Sequence, residues 1–538
     1  MRARLKAFLW PGPGRLALLA LSALLLTLAQ PMAWPGSSAT LLPTWLSALL
    51  GYFSPVPLVI AVAGTRPRWA YFLGLLCFWM HFALAYAWLY VPVVTFGHLP
   101  PAAGVGAAVG VALLMAPLLA LVPMLVRLGE RRSRVPELVL WPAAWTAVEY
   151  LRQFVPFNGF PWGHIGTSQV GLSPVLQLAS LGGASALTFT VVLVAASLGQ
   201  LVLCWRARRP LPLRSAAWVA IAMVLAVGWG RFRQAALASD MDAAPRLRVA
   251  VVQGNIEQGI KNQDQQYRGV ILKKYARLTA DAYARGAMLA IWPEAAHPTY
   301  FDRQAVTLSG RGFPVPPRGA HLAAGVVFYW RDPAEFARVQ MHNSVVFLDD
   351  ELLVEGSFHK RHLVPFGEYV PWPLDALFHR LVPGAGLLQP GLDTTPLEIA
   401  GARVAGLVCY EGVFPRYSRH FTQAGATLLI NVVNDAWYGL SSAPHQHLAA
   451  YQLRAVETGR SVVRAANTGI SALLLPDGSL RGRSELFADA VVVEDAPLLD
   501  GMTVYVRLGE WLSWMSLVVL AVAVLGPARR RRQGSARV

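Results

Sequence analysis

Three side chains that can carry out acyl chemistry stand at predicted strand ends or just past them. Glu294 ends the segment IWPE, Lys360 ends GSFHK and Cys409 ends VAGLVC. A carboxylate close to a thiol can take its proton, and the resulting thiolate is a strong nucleophile toward an acyl carbonyl. A lysine ammonium beside them would support the thiolate and the oxyanion that forms on attack. These residue types therefore predict acyl transfer through a cysteine nucleophile.

Each of these residues also has an ordinary structural interpretation. A cysteine after an apolar run is most often a small buried hydrophobe, and an isolated Glu294 or Lys360 is most often a solvated surface charge. The polar surroundings of Cys409, which include Glu411, favour a nucleophile instead. Glu368 lies in a turn flanked by glycine and proline, where a structural role competes with orienting the lysine.

The composition indicates an integral membrane protein that carries one sizeable soluble domain. The chain has 538 residues, of which 55% are hydrophobic and 14% are charged, whereas a soluble protein carries about a quarter charged residues. The net charge of +17 comes from arginines in short runs between apolar segments, so we expect topology signals and no nucleic acid. The 3 cysteines are too few for a disulfide framework.

Eight apolar stretches are long enough to span a bilayer, which takes about 20 residues. They lie near 15–34, 40–63, 69–93, 102–127, 137–154, 175–205, 214–230 and 509–527. The sixth stretch contains Gly182 and Gly183, which predict a kink or a re-entrant portion.

Positively charged residues predict the orientation of these spans. Lys and Arg precede the first span and follow the second, fourth, sixth and eighth, whereas loops 35–39, 94–101 and 155–174 contain none. By the positive-inside rule both termini are cytoplasmic, and the soluble region lies on the periplasmic side of the cell inner membrane. A cleaved signal peptide in place of the first span is the alternative, and it would leave an odd number of spans. We predict a membrane domain at 1–230 with seven spans, a catalytic domain at 231–508, and a final span with a basic tail at 509–538.

The soluble region is predicted to be a layered α/β domain. Short apolar runs replace the long ones from about residue 247, and strands outnumber the helices with which they alternate. Strands are predicted at 247–253, 288–292, 322–329, 343–348, 352–358, 404–409 and 427–433, and helices at 265–285 and 446–462. Strand ends converge on one face of such folds, which would bring Glu294, Lys360 and Cys409 together.

Three further motifs have competing interpretations. The aromatic loop 157–164 is either an interfacial belt or a lip that faces substrate. His445 and His447 resemble metal ligands by type, but no partner has ligand spacing, so helix capping or core packing is favoured and no metal site is predicted. Residues 434–439 are typical of a turn.

The order of Glu294, Lys360 and Cys409, each at a strand end, resembles the nitrilase, or carbon–nitrogen hydrolase, superfamily. Seven spans before such a domain and one after it resemble the membrane-embedded apolipoprotein N-acyltransferase family. This narrower resemblance covers essentially the whole chain and rests on several motifs. They are VQGNI at 252–256, WPE at 292–294, HNS at 342–344, KRHLVPFGEYVP at 360–371, CYE at 409–411, NDAWYG at 434–439, the segment 445–469 and GFPW at 159–162.

The resemblance implies an αββα sandwich with Glu294 as general base, Lys360 as oxyanion stabiliser and Cys409 as nucleophile. Cys409 would take a fatty acyl chain from a membrane phospholipid as a thioester. The α-amino group of the diacylglyceryl-cysteine at the N-terminus of an apolipoprotein would then accept that chain. This chemistry needs no metal and no cofactor, and we expect a monomer in the bilayer. The residues that the resemblance assigns to supporting or lining the site are Glu368, Tyr410 and Glu411.

Two positions depart from the family pattern. Glu257 stands where a proline is usual, and Asn262 lies near a position where we expect a tryptophan. Both changes leave the three reactive residues intact and bear on the preference for donor or acceptor.

Two other functions are compatible with parts of the sequence. A membrane-tethered amidohydrolase would use the same three residues on a small amide or nitrile, with water as the acceptor. A transporter would place charged residues within its spans, and Glu149 and Arg152 at the end of the fifth span are the clear candidates. Aromatic residues near the predicted site favour a lipid chain as substrate, and they are Phe366, Trp372, Phe378, Trp437 and Tyr438.

Overall fold

A computed structural model describes residues 12–261, 264–331, 339–370 and 388–526. Some of the predictions above fall on other residues and lie outside this description. They concern the basic segments at both termini, Asn262, Trp372 and Phe378.

An apolar helix or helix pair stands at each of the eight predicted spans. Five stretches of the described residues are long and apolar enough to cross a bilayer, namely Thr44–Val62, Pro67–Ala85, Pro101–Arg132, Ala179–Arg206 and Leu213–Ala243. The helices before the catalytic domain are α1 (Pro13–Leu28), α2 (Thr44–Phe53), α3 (Val56–Val62), α4 (Pro67–Ala85), α5 (Pro101–Arg132), α6 (Glu137–Leu151), α7 (Ala179–Arg206) and α8 (Leu213–Ala243). Short helical turns occupy Ala87–Leu89, Pro92–Phe96, Ile165–Gly171 and Ser173–Leu176.

Helix α7 is broken at Gly182 and Gly183, as the glycine pair predicts. Gly183 has a φ of +66°, and a Cβ there would lie 2.6 Å from the ring of Tyr505. The N–H of Ala184, just past the break, donates to a carboxylate oxygen of Glu457 in the catalytic domain at 2.8 Å. The two domains are therefore hydrogen-bonded to each other at the break.

Helix α8 continues to Ala243, and the first strand of the catalytic domain begins at Arg246. The division predicted at residue 230 thus falls inside a continuous helix. Gly230 lies where α8 crosses the backbone of Pro174, since a Cβ there would be 1.8 Å from the carbonyl oxygen of that proline.

The catalytic domain is built on two β-sheets. Its strands are β1 (Arg246–Gln253), β2 (Leu289–Ile291), β3 (Tyr300–Asp302), β4 (His321–Arg331), β5 (Val339–Leu348), β6 (Val354–His359), β7 (Leu397–Ile399), β8 (Ala402–Val408), β9 (Leu428–Val433), β10 (Ser461–Ala466), β11 (Ala472–Leu474), β12 (Leu480–Arg481) and β13 (Ala490–Pro497). The first sheet has 7 strands in the order β13-β1-β2-β4-β5-β6, with β3 paired to β4, and the second has 6 in the order β12-β11-β10-β9-β8-β7. Among the described residues, the helices that follow α8 are α9 (Asp264–Ala284), α10 (Pro415–Gln423), α11 (Ala443–Thr458), α12 (Val504–Leu508) and the apolar helix α13 (Trp511–Leu525), with short turns at Gln258–Lys261, Cys409–Val413 and Asp435–Tyr438.

The two sheets pack face to face with helices on their outer faces, which confirms the predicted αββα sandwich. Side chains alternate across a strand, and β1 uses both faces. Val249 lies in the core between the sheets together with Val404 of β8. The next residue, Ala250, lies in a second core together with Ile271 of α9. This double burial explains why the strands read as continuous apolar runs.

The predicted helix 446–462 is wrong at its C-terminus. Helix α11 ends at Thr458, because Gly459 adopts a left-handed conformation with a φ of +65°. Such a glycine is a common stop signal for helices, and residues 461–466 then form β10 parallel to β9. Apolar residues continue across this junction, so periodicity did not separate helix from strand. The strands absent from the sequence-based prediction are β3, β7 and β10 to β13.

Replacing Gly183 with alanine is expected to destabilise the protein. The positive φ and the nearby Tyr505 ring leave no room for a methyl group, and backbone strain of this kind costs about 1–3 kcal/mol. The midpoint of thermal unfolding in detergent should fall below that of the wild type. Gly228→Ala is the matched control, because nothing lies within 4 Å of its Cβ position and alanine favours a helix. Equal midpoints for the two variants would contradict this account of the break.

Candidate active site

The three residues predicted to carry the chemistry meet at one end of the sandwich. Glu294 follows β2 and Lys360 directly follows β6 in the first sheet, whereas Cys409 directly follows β8 in the second. The Lys360 N–H donates to the carbonyl oxygen of Asn343 at 2.8 Å, which continues the pairing of β6 with β5. Both sheets therefore contribute to the site.

Lys360 is an ammonium buried between two carboxylates. Its side chain is 1% exposed, and Nζ lies 2.7 Å from Oε1 of Glu368 and 3.6 Å from Oε1 of Glu294. Burial lowers the pKa of Lys360, but the charges of the neighbouring carboxylates Glu368 and Glu294 outweigh burial and raise that pKa above its ordinary value. Lys360 therefore stays charged at neutral pH.

Glu368 binds the lysine and its own loop at the same time. Besides contacting Lys360, its Oε1 accepts from Nδ2 of Asn343 at 3.4 Å, and its Oε2 accepts from the N–H of Val364 at 2.8 Å. These contacts are compatible with both roles weighed for Glu368, structural and lysine-orienting.

Glu294 is held by two asparagines. Nδ2 of Asn343 donates to Oε1 at 2.7 Å, and the backbone N–H of Asn434 donates to Oε2 at 2.9 Å. The adjoining backbone passes so close to β4 that a Cβ on Gly325 would lie 2.0 Å from the carbonyl oxygen of Pro293. Both oxygens of the Glu294 carboxylate therefore have fixed directions.

Cys409 occupies a sharp turn at the end of β8. Its φ of +54° is uncommon for a residue other than glycine, and the residue is only 7% exposed. Burial, followed by the charge of Glu294, raises the pKa of the Cys409 thiol well above its ordinary value, although Lys360 acts in the opposite direction. The resting group is therefore a thiol, and a base must remove its proton before it can attack.

Glu411 connects the cysteine turn to the lysine strand. One carboxylate oxygen accepts from the N–H of Val408 at 3.0 Å, and the other accepts from the N–H of Arg361 at 3.1 Å. Val408 immediately precedes Cys409, and Arg361 immediately follows Lys360. Burial raises the pKa of Glu411 to about 7, against the opposing effect of the two N–H donors. The geometry makes Glu411 a support for the spacing between thiol and ammonium.

The membrane domain contributes the aromatic loop 157–164 as one wall of the site. The Tyr410 hydroxyl donates to the carbonyl oxygen of Gly159 at 3.2 Å, and its ring stacks on Trp162 with centroids 6.3 Å apart. Trp162 is buried, packs 6.2 Å from the Tyr438 ring, and donates its indole N–H to Gln446 of α11 at 2.7 Å. The sequence leaves open whether this loop is an interfacial belt or a lip that faces substrate. The contacts of Trp162 with Tyr410 and Tyr438 favour the second interpretation.

Two buried residues hold this loop in place: Glu149 within helix α6 and Arg152 just past its C-terminal end. Arg152 donates to the carbonyl oxygens of Phe160 and Trp162 at 3.2 and 2.7 Å. Glu149 accepts from the N–H of Ile165 at 2.9 Å. These contacts give both charges a structural role and remove the observation on which the transporter alternative depended.

Behind the site, Asp435 forms a buried network with Arg464 and His447. Its carboxylate oxygens lie 2.7 Å from an Arg464 nitrogen and 3.0 Å from Nδ1 of His447. Burial alone would raise the pKa of Asp435, but Arg464 and then His447 lower that pKa below its ordinary value. The packing role predicted for His447 is confirmed. Among the described residues no group of three or more His, Cys, Asp or Glu side chains is arranged to hold a metal ion.

Asn343 and Asn434 were not predicted individually as site residues. Both lie within motifs that the sequence displays, HNS and NDAWYG. Their contacts with Glu294 span 49 and 140 positions along the chain. Only the order of strands in the two sheets brings them to the same carboxylate, so no local pattern could have assigned the contacts.

Known proteins share this combination of domains. Residues 248–498 match the family model described as "Carbon-nitrogen hydrolase", and residues 22–197 match that of the "Apolipoprotein N-acyltransferase N-terminal domain". The apolipoprotein N-acyltransferase of Geobacter metallireducens is 34% identical over 487 residues, which are 90% of this chain and 91% of that protein. The one of Azotobacter vinelandii is 33% identical and covers 97% of this chain and 96% of its own length. A solved structure of Saccharomyces cerevisiae Nit3, a nitrilase-superfamily member, aligns at 15% identity and a TM-score of 0.35 over 47% of this chain and 90% of its own.

A carbon–nitrogen hydrolase sandwich joined to a bundle of apolar helices defines the class of protein. The chain belongs to the apolipoprotein N-acyltransferase family, as its matches over both domains and nearly its whole length establish. The resemblance drawn from the sequence motifs is thereby confirmed, whereas the role of each site residue stays a prediction.

Replacing Glu411 with glutamine is expected to change how stability depends on pH. A carboxyl group whose folded pKa is raised to about 7 from 4.5 stabilises the fold fully below the lower value, and this contribution is lost as the pH rises through the upper one. The wild-type free energy of unfolding should therefore exceed that of Glu411→Gln by an amount that shrinks from acidic to neutral pH. Chemical denaturation in detergent across this range measures it.

Glu398→Gln is the matched control, because Glu398 is exposed on β7 and should follow the wild type at every pH. A constant difference between wild type and Glu411→Gln over the same range would contradict the assignment of the raised pKa.

Proposed function

We propose that this protein transfers a fatty acyl chain from a membrane phospholipid to the α-amino group of the diacylglyceryl-cysteine at the N-terminus of apolipoproteins. One observation carries the proposal: a buried thiol shares its site with a carboxylate and an ammonium, and the membrane domain forms a wall of that site. Family membership supports acyl transfer over the alternative of amide hydrolysis.

Glu294 is proposed as the general base. Because burial keeps Cys409 protonated, attack requires a nearby acceptor for the thiol proton. The charge of Glu294 acts on Cys409, and its two oxygens are oriented by Asn343 and Asn434. Lys360 holds its own proton at neutral pH and is therefore suited to stabilise negative charge.

In the first half-reaction the proton of Cys409 passes to Glu294 while sulfur attacks the ester carbonyl carbon of the phospholipid. The carbonyl oxygen becomes an oxyanion beside the Lys360 ammonium. Collapse of this intermediate breaks the bond from carbon to the glycerol oxygen, which takes the proton from Glu294 and leaves as a lysophospholipid. The acyl chain remains on Cys409 as a thioester.

In the second half-reaction the α-amino group of the lipidated cysteine attacks the thioester carbonyl. Glu294 takes a proton from the amine, and Lys360 again stabilises the oxyanion. The carbon–sulfur bond then breaks, an amide is formed, and the proton returns from Glu294 to Cys409. The free energy for both steps is carried by the ester and the thioester.

Two aromatic contacts support access from the bilayer to this chemistry. The Trp437 ring packs 5.2 Å from Phe96, and the Phe366 ring packs 5.3 Å from Phe157, so catalytic loops meet membrane-domain loops on apolar side chains. Trp437 and Phe366 remain 39% and 38% exposed. Exposed apolar side chains where the two domains meet suit substrates that are themselves lipid-anchored.

Incubation of the purified protein with a phospholipid and no acceptor is expected to add one fatty acyl mass to the chain. The adduct should be absent from Cys409→Ala and present in Cys204→Ala, which removes a cysteine of α7 instead. Intact-mass spectrometry measures both. Addition of a diacylglyceryl-cysteine peptide should discharge the protein and acylate the peptide.

Release of only free fatty acid in the presence of that peptide would favour the hydrolase alternative. A folded wild-type protein that forms no adduct with any phospholipid would overturn the assignment of Cys409 as nucleophile.

We further propose that the catalytic domain is periplasmic, that both termini are cytoplasmic and that the protein acts as a monomer. The alternation of basic and uncharged loops supports the orientation. The test uses a variant without its native cysteines. A cysteine at the exposed Ser309 of the catalytic domain should react with a membrane-impermeant maleimide in intact cells. A cysteine at the exposed Ala207, between α7 and α8, should react only after permeabilisation, and the reverse pattern would refute the orientation.

A further inference from the structure

The hydroxyl of Tyr451 is inserted into the turn that presents Cys409. It donates to the carbonyl oxygen of Cys409 at 2.7 Å. Residues Cys409–Val413 form a 3₁₀ turn, so a side chain of helix α11 binds the first carbonyl of that turn.

Gly412 makes this insertion possible. A Cβ at that position would lie 1.7 Å from the Tyr451 hydroxyl oxygen, so only glycine leaves the space. The tyrosine ring is itself fixed, because the Arg464 guanidinium lies 5.2 Å and the His447 ring 5.5 Å from its centroid. Both of these neighbours are bound to Asp435. Tyr451 is fully buried and has little freedom to move.

The hydrogen bond from Tyr451 orients the peptide group between Cys409 and Tyr410. In a trans peptide the carbonyl and the N–H point in opposite directions. Binding the carbonyl from α11 therefore directs the N–H of Tyr410 away from that helix. The left-handed φ of Cys409 is a conformation that its surroundings must maintain. Glu411 holds the chain before the turn, through Val408, and Tyr451 holds it after the cysteine.

We propose that Tyr451 is a positioning residue that directs the N–H of Tyr410 toward the oxyanion formed when Cys409 attacks an acyl carbonyl. Its hydroxyl acts through the peptide and contacts no reacting atom. Lys360 supplies the charge at the oxyanion, and the peptide N–H supplies a fixed dipole from the second sheet. The inference rests on the proposed function in taking Cys409 as the acylated residue.

Two reactions of the same sulfur test this role in Tyr451→Phe, which keeps the ring and loses the hydroxyl. Acylation by a phospholipid forms an oxyanion, whereas alkylation by iodoacetamide displaces iodide and forms none. The acylation rate should fall roughly ten- to a hundredfold, below the loss seen when an oxyanion donor is removed outright. The apparent KM for the phospholipid and the alkylation rate should stay at the wild-type values.

Tyr283→Phe is the matched control, because its hydroxyl also donates to a backbone carbonyl, that of His321 at 3.0 Å, in the same domain. Gly412→Ala is a second variant, since its methyl group would expel the hydroxyl from the turn while every other side chain is kept. The same selective loss of acylation is expected there.

Equal slowing of acylation and alkylation in Tyr451→Phe would show a merely structural role, and unchanged acylation would refute the inference altogether. A wild-type protein that is alkylated at Cys409 but never acylated would instead refute the proposed function, so the two failures are distinguishable.

Discussion

The positive charge of Lys360 is the constraint on which the site depends. Removing an ammonium from water costs several kcal/mol unless other groups compensate it. Glu368 and Glu294 compensate it here, and each must in turn be held against its own desolvation, by the N–H of Val364 and by Asn343 and Asn434. Satisfying one buried charge thus fixes residues from β5 and from the segments after β2, β6 and β9. The rigidity of the site is a consequence of this chain of compensation.

The thiol depends on a different part of the structure. Its turn is held by Glu411 from within and by Tyr451 from α11, while Tyr410 reaches across to Gly159 of the membrane domain. Because these supports come from separate elements, a change in the membrane loop can reach the nucleophile without passing through the lysine. The two sheets are linked at the site all the same, because Glu411 also accepts from the N–H of Arg361 and the N–H of Asn434 donates to Glu294.

Much of this arrangement was predictable from local sequence. Glu294, Lys360 and Cys409 each lie at or just past the end of a predicted strand, and strand ends meet at one edge of a layered fold. The asparagines and Tyr451 were not predictable, because their contacts with Glu294 and Cys409 depend on which strands become neighbours and where α11 lies. The loop at 157–164 stayed ambiguous, since aromatic residues suit both a membrane interface and a site wall. The end of α11 was missed because apolar residues continue into β10.

Helix α11 is buried along its whole length except at Ala450 and Gln452. One of its sides covers a catalytic sheet, and the other gives Gln446 to Trp162 and Glu457 to the break in α7. The amide of Gln446 and the carboxylate of Glu457 are therefore both hydrogen-bonded to groups of the other domain, and the joining of the two domains is built into the packing of this one helix.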